Sequence, residues 1–183
     1  MSAIHPSELS FVTRHAPFNH MELAHVLWML ERMRLGYYAD GEIIVSPEHG
    51  PADRFLVIKQ GMVYGEQKVA NASDADTWLE LGEGECFPLG ALLSKRPVTS
   101  TYRARDDLFC YQLNSADFHQ LTHQSSAFHD FCTRRIANLL EQRQRLLPEP
   151  GALHLTRRQD LLDLELPEPN LGLYGPDPES PPT

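Results

Sequence analysis

The sequence predicts a mainly β domain with flanking helices, an α+β fold built round an antiparallel barrel or sandwich. Three observations carry this. An apolar period of helical spacing runs over residues 19–34 and returns after residue 115. Between them, short runs rich in Val, Ile, Tyr and Phe alternate with turn signals. After residue 147 the periodicity stops and prolines take over.

Residues 1–18 read as a lead-in ending in His15-Ala16-Pro17-Phe18. Asn19, with Glu22 three residues on, is a capping-box variant. Met21, Val26, Leu27, Leu30 and Met33 then share one helix face up to about Arg34. From Leu35 the period changes, and Gly36, Asp40-Gly41, Pro47, Gly50-Pro51, Gly61 and Gly65 punctuate the chain. Strands are expected at 42–45, 54–59, 62–64 and 77–81, with turns between them. Residues 84–104 read as a strand end, one tight helical turn, a loop and a new strand, a layout that can wrap backbone N–H groups round an anion. Strands at 99–104 and 108–113 complete the barrel.

Ser115 is placed to cap a helix bearing Phe118 and Leu121. Ser125 or Ser126 caps a longer one bearing Phe128, Phe131, Cys132, Ile136, Leu139 and Leu140, reaching towards Leu146-Leu147. Residues 148–183 hold eight of the 14 prolines and one apolar run, 161–166, so a mostly disordered, Pro-rich tail is expected there. The expected organisation is a lead-in over 1–18, a folded domain over 19–147 and the tail over 148–183.

Bulk properties narrow the function. The formal charge of -9 argues against a surface devoted to nucleic acid, though a local anion pocket can oppose the global sign. Three dispersed cysteines, Cys86, Cys110 and Cys132, form no Cys-x-x-Cys pair and suit core thiols in a reducing compartment. No stretch has the length and apolarity of a membrane span, and the N-terminus lacks a signal-peptide pattern. The expectation is a cytoplasmic protein with neither membrane nor nucleic-acid partner.

Catalytic patterns are absent. No Ser or Cys stands in a Gly-x-Ser-x-Gly elbow. His119 and His123 are four apart on an expected helix, with His129 nearby, but no carboxylate or Cys stands at helpful spacing, so they read as a solvated face and not as a metal site. Arg134-Arg135 and Arg143 with Arg145 read as the exposed basic side of the last helix. Nothing points to an enzyme.

The order helix, barrel with one internal helical turn, two helices resembles the cyclic nucleotide-binding superfamily. Ala16-Pro17-Phe18 resembles its entry turn. Residues 38–45, built round Gly41-Glu42, resemble its strand–turn–strand, and 51–61 its next strand with a closing Gly61. Gly82-Glu83-Gly84-Glu85-Cys86-Phe87 leads into a stretch similar to its phosphate-binding cassette. The resemblance spans roughly residues 11–147 and implies an antiparallel β-roll, or jelly-roll barrel. A narrower likeness, over 87–104, 109–111 and 128–135, is to a bacterial subgroup in which such a domain precedes paired CBS domains and a nucleotidyltransferase region. The sequence holds no Gly-Ser followed by paired acidic residues, so catalysis does not carry over.

In the superfamily a Gly-Glu follows the Phe, and the Glu accepts from the ribose 2′-OH. An Arg directly after the loop Pro pairs with the cyclic phosphate. Here Phe87 is kept, but Pro88 and Leu89 replace the Gly-Glu, and Val98 follows Pro97. Ala91, Leu92, Thr99 and Ser100 fit the small, apolar and hydroxyl positions. Arg96 and Arg103 are the cations near enough in sequence to compensate, and the amides of Gly90, Ala91 and Leu92 could still meet an anion. The alternative is that both arginines are surface charges and Leu89 plugs the pocket. The resemblance implies a non-catalytic sensor for cAMP, cGMP or another small anionic ligand, or a ligand-free interaction domain that dimerises through its last helix.

Overall fold

A computed structural model of the chain describes residues 4–68 and 75–146. In chain order the elements are α1 (Pro6–Val12), a 3-10 turn (Phe18–His20), α2 (Leu23–Leu30), β1 (Arg34–Tyr38), β2 (Ile43–Val45), a 3-10 turn (Pro47–His49), β3 (Arg54–Lys68), β4 (Ala75–Leu81), β5 (Cys86–Phe87), α3 (Leu89–Ser94), β6 (Thr101–Asn114), α4 (Ser115–Gln124) and α5 (Ser126–Leu146). The expected mainly β fold with flanking helices is present as a six-stranded antiparallel β-roll. Its strands run β1-β6-β3-β4, with β2 also on β6 and β5 also on β3.

Several local expectations give way. The lead-in contains a helix: α1 is closed by a capping box in which the His5 ring accepts from Ser7 N at 3.3 Å and Glu8 accepts from His5 N at 3.1 Å. Asn19 caps nothing, because it lies inside the 3-10 turn; α2 starts after Glu22 and stops at Leu30. Arg34 therefore belongs to β1, where Gly36 is an interior strand residue. The Gln112 side-chain amide lies in the space a Cβ there would take, so the glycine leaves room for that amide beside β1.

The two long strands correct the turns expected near Gly61 and residue 106. Residues 54–68 form one strand, and so do 101–114. The pairing moves from Gln60↔Phe109 to Met62↔Arg105, so β6 carries the extra residues of a paired bulge. Gly61 at φ 97° and Asp106 at φ 58° supply the left-handed conformations that bend both strands together. The ladder continues through the bend, which is why turn-like residues do not break it.

Helix packing is governed by aromatic side chains. Phe18, Phe55, Phe118 and Phe128 are all fully buried. Phe128 of α5 meets Phe55 of β3 edge-on at 5.6 Å and Phe118 of α4 at 5.7 Å. Burying each such ring is worth about 1.5–3 kcal/mol, so this cluster fixes both C-terminal helices on the roll. Local caps assist: Asn114, and not Ser115, accepts from Asp117 N at 2.8 Å, while Ser125 Oγ accepts from Phe128 N at 3.2 Å. Cys86, Cys110 and Cys132 are buried thiols. The expected tail over 148–183 lies outside the described residues.

Candidate functional site

The site grows from β5 and α3. β5 pairs with β3 through Leu56↔Phe87 and Val57↔Cys86, which holds the cassette against the roll. The Phe87–Pro88 peptide is cis. α3 then runs for six residues and ends at Lys95, whose left-handed conformation (φ 56°) turns the chain back. Arg96 N donates to Ala91 O at 3.0 Å, and Ala52 N donates to Arg96 O at 3.1 Å, so Arg96 ties the start of the loop both to α3 and to the segment before β3. Leu92 N donates to Pro88 O at 3.3 Å and Ser94 Oγ to Gly90 O at 2.7 Å, so the turn satisfies part of its own backbone.

Against α3 lies a small cavity of about 30 Å³. Phe87, Leu89, Gly90, Ala91, Val98 and Thr99, all candidate site residues from the sequence, line it. Leu81, Tyr102, Trp78 and two residues of α5, Ile136 and Leu139, complete the wall. Leu89 and Val98, standing where carboxylate and guanidinium were sought, are 3% and 5% exposed and present only hydrocarbon. Phe87 stacks on Tyr102 at 5.2 Å. Burial pushes the Tyr102 hydroxyl up to about 12, against the opposing charges of Arg143 and Arg135. A space of this size holds about two waters, whereas ligand pockets run to roughly 300–1,000 Å³.

The remaining candidates fall outside the cavity wall. Leu92 is buried in the core, and Ser100 is buried with its hydroxyl accepting from Trp78 Nε1 at 2.8 Å. Arg96 is exposed on the loop. Arg103 is drawn to the opposite side, donating to Gly41 O at 2.7 Å and pairing with Glu66 at 3.3 Å. Neither arginine stands in for the missing one.

A third arginine does reach the cassette, and the sequence reading placed it wrongly. Arg143 is not on an exposed basic face; it is 4% exposed. Its Nη1 lies 3.4 Å from Thr99 Oγ1, its Nη2 donates to Gln67 Oε1, and its guanidinium sits over the Trp78 ring at 5.3 Å. The signal was available: Ile136, Leu139 and Arg143 fall at i, i+3 and i+7, one face of a helix. Two turns earlier Arg135 of α5 pairs with Glu85 at 2.8 Å, and Glu85 also accepts from Gly82 N at 2.7 Å. α5 is thus tied to the roll at both ends of the cavity.

With this geometry in hand, comparison identifies the domain. The model of the family described as cyclic nucleotide-binding domain matches residues 35–125. Residues 35–125 are a cyclic nucleotide-binding domain. The regulatory domain of Toxoplasma gondii PKA, solved with cAMP, has the same fold at TM-score 0.63 and 16% identity, over 71% of this chain and 48% of that one. The regulatory subunit of a cAMP-independent protein kinase A from Trypanosoma cruzi, bound to guanosine, gives 0.62 and 14%, over 70% and 44%. The sensor domain of the transcriptional regulator DNR from Pseudomonas aeruginosa gives 0.60 and 12%, over 77% and 99%. The chain therefore spans about half the length of the two kinase subunits, and at these identities the likeness concerns the fold. No curated protein sequence matches the chain. Among the described residues no group of three His, Cys, Asp or Glu could hold a metal, and no helix is long and apolar enough to cross a membrane.

Proposed function

We propose that this cyclic nucleotide-binding domain is a non-catalytic regulatory module that does not bind cAMP or cGMP with useful affinity. One observation carries the reading: Leu89 and Val98 are buried apolar residues in a cavity of only about 30 Å³, walled in part by Ile136 and Leu139 of α5. A hydrogen bond to a charged group contributes roughly 1.5–3 kcal/mol, so a cassette without both grips lacks about 3–6 kcal/mol. At about 1.4 kcal/mol per decade, that turns a micromolar site into a millimolar one or worse. The guanosine-bound, cAMP-independent kinase subunit supports the view that a fold of this kind is compatible with a ligand other than a cyclic nucleotide.

Protonated thiols support the absence of a nucleophile. Burial pushes Cys86 and Cys110 up to about 12 and raises Cys132 as well. A second reading, a ligand-free interaction or dimerisation domain of a larger signalling or nucleotidyltransferase-type protein, is favoured by the small size of the cavity. Half-buried Leu140 on α5 would contribute to such a contact; Leu139 is committed to the cavity wall. A cytoplasmic bacterial setting goes with the same reading. Calorimetric titration with cAMP, cGMP and guanosine tests it. Silence for both cyclic nucleotides supports the module proposed here, heat with guanosine points to a sensor, and a micromolar Kd for cAMP or cGMP refutes it. A dimer in light scattering with no ligand heat selects the second reading.

A further inference from the structure

We propose that α5 is the pocket's own competitor: its face bearing Ile136 and Leu139, held in place by Arg143, occupies space a ligand needs, so that a pocket ligand and docked α5 exclude one another. The inference rests on reading the domain as a regulatory module and concerns how the module's site is gated.

The placement of Arg143 is the first support. Its neighbours Glu141, Gln142, Gln144 and Arg145 are all exposed, while Arg143 alone in this turn is buried. A guanidinium leaves water only where hydrogen bonds and opposing dipoles replace its hydration. Among the described residues those replacements include the Thr99 hydroxyl of the cassette loop, the Gln67 amide of β3 and the Trp78 ring of β4. The contact therefore ties the helix to the cassette loop and to two strands at once. An arginine suits this task, because its planar fork serves two oxygen acceptors while its face lies on an indole.

The apolar side of the helix is the second support. Ile136 and Leu139 enter the cavity wall from the same face, two turns and one turn before Arg143. The space left to a ligand is only about 30 Å³, so anything larger than two or so waters must displace part of the wall, and Ile136 and Leu139 are the part that a docked helix contributes. Closure here needs no ligand, because protein groups already meet the arginine and the two aliphatic side chains.

The sign of the coupling follows. A ligand shifts the helix only by its differential affinity for the docked and released states. With the docked helix filling part of the space, a ligand that takes that space favours release, and reciprocity requires that weakening the docked state strengthen ligand binding. Ligand occupancy thus frees the C-terminal turns of α5 instead of clamping them.

Hydrogen exchange on the full chain tests this. In wild type, amides of residues 139–146 should exchange slowly. Arg143→Gln should accelerate them about 10–100-fold, the factor for losing hydrogen bonds to a buried charge, with β3 and β6 unchanged. Arg143→Lys, which keeps the charge and loses the fork, should fall between and serves as the comparison if Arg143→Gln does not fold. Equal exchange in wild type and the folded variants overturns the latch. The second arm uses cAMP as probe in a Leu89→Glu/Val98→Arg background: adding Arg143→Gln should raise cAMP affinity tenfold or more, whereas unchanged or lower affinity overturns the competition. If that background binds no cAMP, the exchange arm decides alone. Micromolar cAMP binding by wild type would refute the parent reading of the module and leave the exchange result standing.

Discussion

Restoring the two missing charges, Leu89→Glu with Val98→Arg, is the sharpest perturbation the cavity offers. Both side chains are almost fully buried, and removing them forfeits about 1.5–3 kcal/mol each. Two charges placed in an apolar wall cost more unless they find partners. The ligand-free double variant should therefore unfold on the order of 10 °C below wild type. cAMP then supplies the partners: a ribose hydroxyl for the introduced carboxylate and a phosphate for the introduced guanidinium. At ligand 100-fold above Kd, binding stabilises the folded state by about 2.7 kcal/mol, enough to recover much of the loss. Thermal unfolding with and without cAMP measures this, with calorimetry as a check on affinity. Wild type should show no cAMP-dependent shift, and the double variant a clear one. Because α5 walls part of the cavity, the same pair is also measured with Arg143→Gln. A folded double variant indifferent to cAMP in both backgrounds would refute the assignment of Leu89 and Val98 to the two gripping positions.

Further outcomes are open to direct measurement. Gly61→Ala should destabilise by several times the roughly 1 kcal/mol of an ordinary glycine replacement, because φ is 97° and a Cβ would meet the backbone oxygen of Asp107 at 2.8 Å; denaturant unfolding reads it, and a neutral result would contradict the bulge geometry. The three cysteines should stay unreactive towards a thiol-specific disulfide reagent at neutral pH until the protein unfolds, since burial holds Cys86 and Cys110 at about 12; rapid native-state labelling would contradict the burial. Burial, then the charges of Lys95 and His123, hold His119 below its ordinary 6.5. The unfolded chain then binds more protons, so His119's contribution is complete above pH 6.5 and is lost as pH falls through its folded value; His119→Gln should flatten that part of the stability profile.

Much of the fold was legible because patterning and turn chemistry agree with tertiary packing. Phe128, Cys132 and Ile136 were readable as one buried helix face from their spacing alone. Boundaries failed where a local signal had two meanings. Gly61 marks a bulge and not a turn, because Asp106 bends the partner strand at the same level. Gly36 sits inside a strand, paired with Cys110 and with the Gln112 amide folded over it, a cross-strand arrangement absent from the local sequence. Arg34 lies past the helix because α2 stops at Leu30 before the apolar period does.

Around the cassette, Phe87, Leu89, Ala91 and Val98, which are close in sequence, line one cavity. What was missed arrives from distant segments. Gln67, Trp78 and Arg143 lie 76 residues apart at the extremes and meet only through the docking of α5 on the roll. An arginine between exposed glutamines reads as surface, and only its phase with Ile136 and Leu139 says otherwise.

An amide-resolved NMR titration of the wild-type protein with cAMP addresses the small, apolar cassette cavity most directly. The account predicts that Gly90, Ala91, Thr99 and the α5 amides near Leu139 keep their positions at ligand concentrations that saturate a micromolar site. Saturable shifts of those amides at micromolar cAMP would contradict it.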